Sequence, residues 1–102
     1  MRILVLGTTY KVLIDPNLQA AEGLCDTEEK TITVKNIKNI DDLRVLRHEF
    51  IHAFLYEAGL CDECDWANNE VIVDWFAHMI PKIQYTLDET LLKGERDDRE
   101  TT

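Results

Sequence analysis

The stretch Asp41-Asp42-Leu43-Arg44-Val45-Leu46-Arg47-His48-Glu49-Phe50-Ile51-His52-Ala53-Phe54-Leu55-Tyr56-Glu57-Ala58-Gly59 decides how the rest of the chain is read. Leu43, Leu46, Phe50, Ala53, Phe54 and Ala58 recur at helical spacing, so the apolar positions gather on one side of an α-helix. Asp41 or Asp42 is expected to cap its start, where negative charge suits the positive end of the helix dipole. Gly59 is expected to end it, because glycine takes positive φ beyond the last turn without a Cβ penalty.

Inside this helix stands His48-Glu49-Phe50-Ile51-His52, an H-E-x-x-H string. Residues four apart lie about 40° apart around the axis and one turn apart along it. Both imidazoles therefore reach from one face toward a single ion. Zinc takes neutral imidazole nitrogen at about 2.0–2.1 Å, so His48 and His52 would supply half a tetrahedral shell. Glu49 is rotated about 100° from His48. From there its carboxylate can touch a zinc-bound water without being a ligand, and can serve as general base. The bland alternative is an amphipathic helix with incidental histidines. The helical context that the motif requires weighs against that alternative.

Working outward toward the C-terminus, residues 60–67 form a polar connection and Asn68 or Asn69 can cap a second helix. Val71, Ile72, Trp75, Phe76 and Met79 make its apolar side, and Pro81 is expected to end or kink it. A catalytic zinc needs a third protein ligand and one open position. A short connection makes the two helices antiparallel neighbours. That brings Glu70 opposite His52 and leaves Asp74, one turn on, beside His48. Glu70 is therefore assigned as the third ligand and Asp74 as the carboxylate that orients His48. Asp62, Glu63, Asp65 and His78 are the rival third ligands. Ile83, Leu87 and Leu91 suggest a short third helix over Lys82–Lys93, stopped by Gly94. The charged tail, residues 95–102, is expected to be disordered.

Toward the N-terminus the pattern turns to strands. Arg2 to Leu6, Tyr10 to Ile14, Leu24 to Asp26 and Thr31 to Lys35 are β-prone, with turns at Gly7-Thr8-Thr9, Asp15-Pro16 and Thr27–Lys30. Ile32 and Val34 fall on one face, with Thr31, Thr33 and Lys35 on the other. The expected fold is α+β: a small antiparallel sheet, two antiparallel zinc-binding helices and a short third, in a single domain over residues 1–94.

The chain has 102 residues and a formal net charge of −9. That charge disfavours nucleic acid and anionic lipid as partners. No apolar run approaches membrane-spanning length, and no leader pattern opens the chain, so a cytoplasmic protein is expected. Cys25, Cys61 and Cys64 make an odd count that suits free thiols in a reducing compartment. A lone Cys61-x-x-Cys64 lacks the four ligands of a structural zinc site. Tyr56 and His78 are candidates to stabilise an oxyanion, though each reads first as a packed or surface side chain.

His48-Glu49-x-x-His52 followed by Asn69-Glu70-x-x-x-Asp74 resembles the gluzincin metallopeptidases. The stretch Glu70 to Pro81 is similar to the second helix of ImmA/IrrE-type metallopeptidases, common in bacteria and mobile elements. The size and element order look like the minigluzincins. The resemblance implies that Glu70 is a zinc ligand, that Asp74 buttresses a ligand histidine, and that the substrate is a protein or peptide. The minigluzincin likeness also permits self-inhibition, with the third helix and tail covering the cleft. Within these 102 residues neither a large second subdomain like thermolysin's nor the DNA-binding segment of many ImmA/IrrE relatives is expected. The expected function is thus a zinc-dependent metalloendopeptidase with Glu49 as general base. The alternative is a catalytically inactive zinc-binding module that acts by binding or regulation. Nothing in the sequence specifies an oligomeric state.

Overall fold

β1 (Arg2–Val5) and β2 (Thr8–Ile14) form an antiparallel hairpin in register Val5 to Thr8. These and the following elements come from a computed structural model that describes residues 1–19 and 21–97. The hairpin turn is Leu6-Gly7 alone, with φ of 48° and 90°. Positive φ at both central residues matches the right-handed strand twist, so the hairpin closes tighter than the Gly7-Thr8-Thr9 turn expected from sequence.

β3 (Gly23–Asp26) and β4 (Thr31–Val34) form a second antiparallel hairpin. The Asp26 carboxylate accepts from the backbone of Glu28 and Glu29 at 3.0 and 2.9 Å and so holds its turn.

The sheet order is β1-β2-β4-β3. It is mixed, not antiparallel as expected, because β2 and β4 pair in parallel. The connection over residues 15–22 skips one strand position, and β4 returns into the gap beside β2. Strand patterning reports which residues face the core but carries no information about that jump.

One sheet face carries Val5, Tyr10, Val12, Ile32 and Val34, all buried under Leu46 and Ala53 of α1 (Ile40–Glu57). Burying each large aliphatic side chain stabilises the fold by about 1.5–3 kcal/mol. The other face leaves Leu4, Leu13 and Leu24 exposed.

The true cap of α1 is Asn39, two and three residues before the expected Asp41 or Asp42. Its side chain accepts from Asp42 N at 2.8 Å, and the Asp42 carboxylate accepts in return from Lys38 and Asn39 N. This is a capping box built from Asn and Asp. Gly59 follows α1 at φ 78°, as expected, and donates to the Tyr56 carbonyl at 2.9 Å.

The polar connection contains α2 (Leu60–Glu63) and a 3-10 turn (Asp65–Asn68), and α3 then runs from Glu70 to Asp97. The separate third helix expected after Pro81 is therefore not formed: Pro81 and Gly94 both lie inside α3. An interior proline removes the N–H that would bond the carbonyl four residues back. Here that carbonyl belongs to Ala77, and it accepts from Arg47 Nη1 at 3.2 Å. The lost helical bond is replaced across the helix interface, so the helix continues. Gly94 costs the helix only about 1 kcal/mol relative to alanine, too little to impose a stop. Helix also covers Glu95 to Asp97 of the expected tail; residues 98–102 lie outside the described residues. No described helix is long and apolar enough to cross a membrane.

Candidate metal centre

α1 is fixed by its apolar side. Leu46 and Ala53 are buried on the sheet, with Val45 and Phe50 packed beside them. That fixes the direction of the stripe Arg44, His48 and His52, which faces α3. The start of α3 is set by Asn69, whose side chain accepts from Val71 N at 2.9 Å and Ile72 N at 3.2 Å. Val73 and Ala77 are buried. α2 and the 3-10 turn compress the connection, so Glu70, the first residue of α3, arrives over the two histidines.

The side chains converge closely. Glu70 Oε2 lies 2.8 Å from His48 Nε2, and Glu70 Oε1 lies 3.0 Å from His52 Nε2. The two Nε2 atoms are 3.2 Å apart. One donor atom from each of the three residues falls within 4.8 Å of the others, and these residues could hold a metal ion. Three ligand atoms on a tetrahedral ion at about 2.0–2.1 Å stand about 3.3 Å apart. The two imidazole nitrogens, 3.2 Å apart, already stand near that spacing, while Glu70 meets the two histidines through different carboxylate oxygens.

The donor chemistry fits as well. Asp74 Oδ1 lies 3.2 Å from His48 Nδ1. If Nδ1 carries the proton and donates to Asp74, Nε2 presents a lone pair to the Glu70 carboxylate and to His52. Acceptors at such distances repel unless a proton or a cation lies between them. Asp74 also meets Arg44 Nη1 at 3.5 Å and His78 Nε2 at 3.6 Å. His78 is thereby turned toward Asp74.

Electrostatics separates the two glutamates. Burial pushes the Glu70 carboxyl up, but hydrogen bonds with His48 and His52 outweigh it and hold the group below its ordinary value. Glu49 is only 8% exposed. Burial pushes its carboxyl above the ordinary range, and the charge of Glu70 adds to that, against an opposing pull from His48 and His52. A carboxylate with raised proton affinity is suited to accept and return a proton.

Glu49, His52 and Glu70 share a cavity of about 630 Å³ with Gly23, Cys25, Tyr56, Cys61 and Asp62. Its far wall is β3. No described residue beyond Glu70 lines it, so the cover expected from a third helix is not formed by the described part of α3. Cys25, Cys61 and Cys64 are free thiols, and only the first two border the cavity.

Gly23 and Arg44 in the site, and Arg47 next to it, are not singled out by the sequence. Gly23 lies so near α1 that a Cβ there would meet Val45 Cγ1 at 2.8 Å and Glu49 Cγ and Oε2 at 3.0 Å. A glycine opening a β-prone run is the signal that could have exposed it. Arg47, beside the motif, had no such signal, because its role depends on Pro81 of another element. The chain matches no protein-family model, no curated protein and no solved structure.

Proposed function

We propose that this chain is a zinc-dependent hydrolase, and specifically a small metalloendopeptidase of the gluzincin type. One observation carries the reading: one donor atom each of His48, His52 and Glu70 converge within 4.8 Å, with the buried Glu49 lining one cavity with His52 and Glu70. His48, His52 and Glu70 would be the ligands, and Asp74 the group that holds the His48 ring. The contacts support two helices running in opposite directions. His52 on α1 meets Glu70 at the start of α3, whereas Arg47, earlier on α1, reaches Ala77, later on α3.

The ion, when bound, supplies a Lewis acid and lowers the pKa of water to about 7. Glu49 accepts the proton of the attacking water and returns it to the leaving amine. Its burial beneath β3 raises its proton affinity for that task. Among the described residues β3 is an edge strand beside the cavity, which leaves room for an extended peptide. Free thiols suit a reducing compartment, which favours the cytoplasm.

The test has two parts. Mass spectrometry should find one zinc per chain, lost in His48→Ala and Glu70→Ala. A peptide-library screen should find cleavage that Glu49→Gln abolishes while zinc is retained. Zinc binding without any cleavage would instead favour the binding module, and no zinc uptake would remove both readings.

A further inference from the structure

Pro81, Lys82, Tyr85 and Thr86 of α3 border a cavity with Ile40, Asp41 and Arg44 of α1, and another side of the helix carries an apolar stripe that no described residue covers. Ile83, Leu87 and Leu91 are 50%, 57% and 64% exposed. With Phe76 and Ile80 they fall within about 80° of arc on one side of the helix. The stripe is continuous with a groove between α1, α3 and the β1–β2 turn. The groove has a volume of about 460 Å³ and an entirely apolar lining that includes Leu6, Phe50, Phe54, Trp66, Phe76 and Ile80.

We propose that two copies of this chain form a two-fold dimer through these surfaces, each α3 lying antiparallel along the other. α3 spans Glu70–Asp97, so its midpoint falls beside Ile83. A two-fold axis there places Leu87 of one copy opposite Ile80 of the other, and Leu91 opposite Phe76. The stripe of each copy fills the groove of its partner. The stripe and one wall of the groove lie on α3, so a single symmetric contact can satisfy both, as an isologous interface requires. The exposed apolar side chains of groove and stripe amount to roughly 700–800 Å² per copy, an upper bound on burial that comes close to the ~800 Å² per partner of a stable interface.

Leu6 is an independent pointer. It sits at φ 48°, a left-handed conformation that Asn or Gly would adopt with less strain. The position nevertheless holds a leucine, 60% exposed, on the rim of the groove. A dimer partner gives that side chain something to bury against.

Sedimentation equilibrium of the intact chain from 1 to 100 µM tests the proposal. The expected result is twice the chain mass at the upper end. Leu87→Glu and Leu91→Glu change exposed positions, so far-UV circular dichroism should stay the same while each weakens the dimer at least tenfold. Leu6→Asn should have opposite effects on two readouts: a weaker dimer, and a higher melting temperature for the dilute monomer. A single-chain mass at 100 µM overturns the proposal, as does a dimer indifferent to Leu87→Glu. A monomer whose radius of gyration in solution falls well below 16.9 Å would mean that α3 folds back into its own groove, which also overturns it. So would a monomer that floats with neutral phospholipid vesicles, because the groove would then take lipid.

Discussion

Gly23 of β3 lies against Glu49 of α1 so closely that a Cβ on the glycine would stand 3.0 Å from the glutamate's Cγ and Oε2. The strand presses the carboxylate toward its cavity, and only hydrogen fits between. In Gly23→Ala the added methyl also meets Val45 Cγ1 at 2.8 Å, a stiff β-branched neighbour. β3 must then shift away from α1. The expected cost is about 1–3 kcal/mol of stability, as for other overpacked positions, read from urea midpoints. Zinc affinity should hold, because the methyl reaches none of His48, His52 and Glu70. Peptide cleavage should fall more than tenfold as Glu49 is displaced. Retained cleavage would mean that Gly23 serves packing alone.

Asp74 reaches His48 Nδ1 at 3.2 Å and is shared with Arg44 and His78. A carboxylate in that position fixes the tautomer that presents Nε2 to a metal. Its loss in comparable sites costs 10–100-fold in metal affinity or activity. Asp74→Asn is expected to weaken zinc binding by about that factor in a chelator competition assay. An unchanged affinity would reduce Asp74 to a surface partner of Arg44.

The pH dependence of stability should report on Glu57. It accepts from Lys30 Nζ at 2.8 Å and from Tyr10 Oη at 2.7 Å. The Lys30 hydrogen bond first, and that of Tyr10 second, hold its carboxyl below the ordinary value. A depressed folded-state pKa stabilises the fold above the unfolded-state value, about 4.3 for Glu. That contribution disappears as pH falls through the folded-state value. Wild type should therefore exceed Glu57→Gln in urea midpoint at pH 6, and the two should converge as the pH drops below 4. Parallel curves across that range would show that the ion pair contributes nothing measurable.

Cys25 supplies a second titration. Burial first, and then the nearby Glu49, push its thiol up to about 12. The folded chain therefore holds it as the unreactive thiol, and stability tied to it is present below the unfolded-state value and lost as pH rises toward 12. At pH 8 the thiolate fraction is on the order of 10³ lower than in an ordinary cysteine. Iodoacetamide should label Cys25 slowly in the folded protein and rapidly in urea. Fast labelling in the folded state would place the thiol in solvent.

What could be read in the sequence was what depends on local periodicity. His48, Glu49 and His52 are locked together by one helical turn, and Ile32 and Val34 share a face by strand alternation. Gly59 and Asn69 mark helix ends through their own backbone and side-chain chemistry. What escaped depends on pairs distant in the chain. The parallel register of β2 with β4 follows from a jump over residues 15–22, and Gly23 matters because α1 passes over it. The site residues sat on one short motif and its facing helix, so their convergence was more legible than the sheet that carries them.

Pro81 shows how such a distant pair can be tested. From sequence it is expected to end or kink the helix, because proline removes a hydrogen bond. The Ala77 carbonyl that loses this bond accepts instead from Arg47 Nη1 at 3.2 Å. If that is why α3 continues, the two residues must be coupled. Arg47→Met keeps much of the side-chain stem and leaves the carbonyl without its partner, an expected loss of about 1–3 kcal/mol. In a Pro81→Ala background the restored N–H of residue 81 can bond Ala77 within the helix, so Arg47→Met should cost much less. A double-mutant cycle on urea midpoints isolates the difference, and a coupling near 1 kcal/mol or more is expected. Additive effects would mean that Arg47 acts elsewhere and that packing along α1 alone carries the helix past its proline.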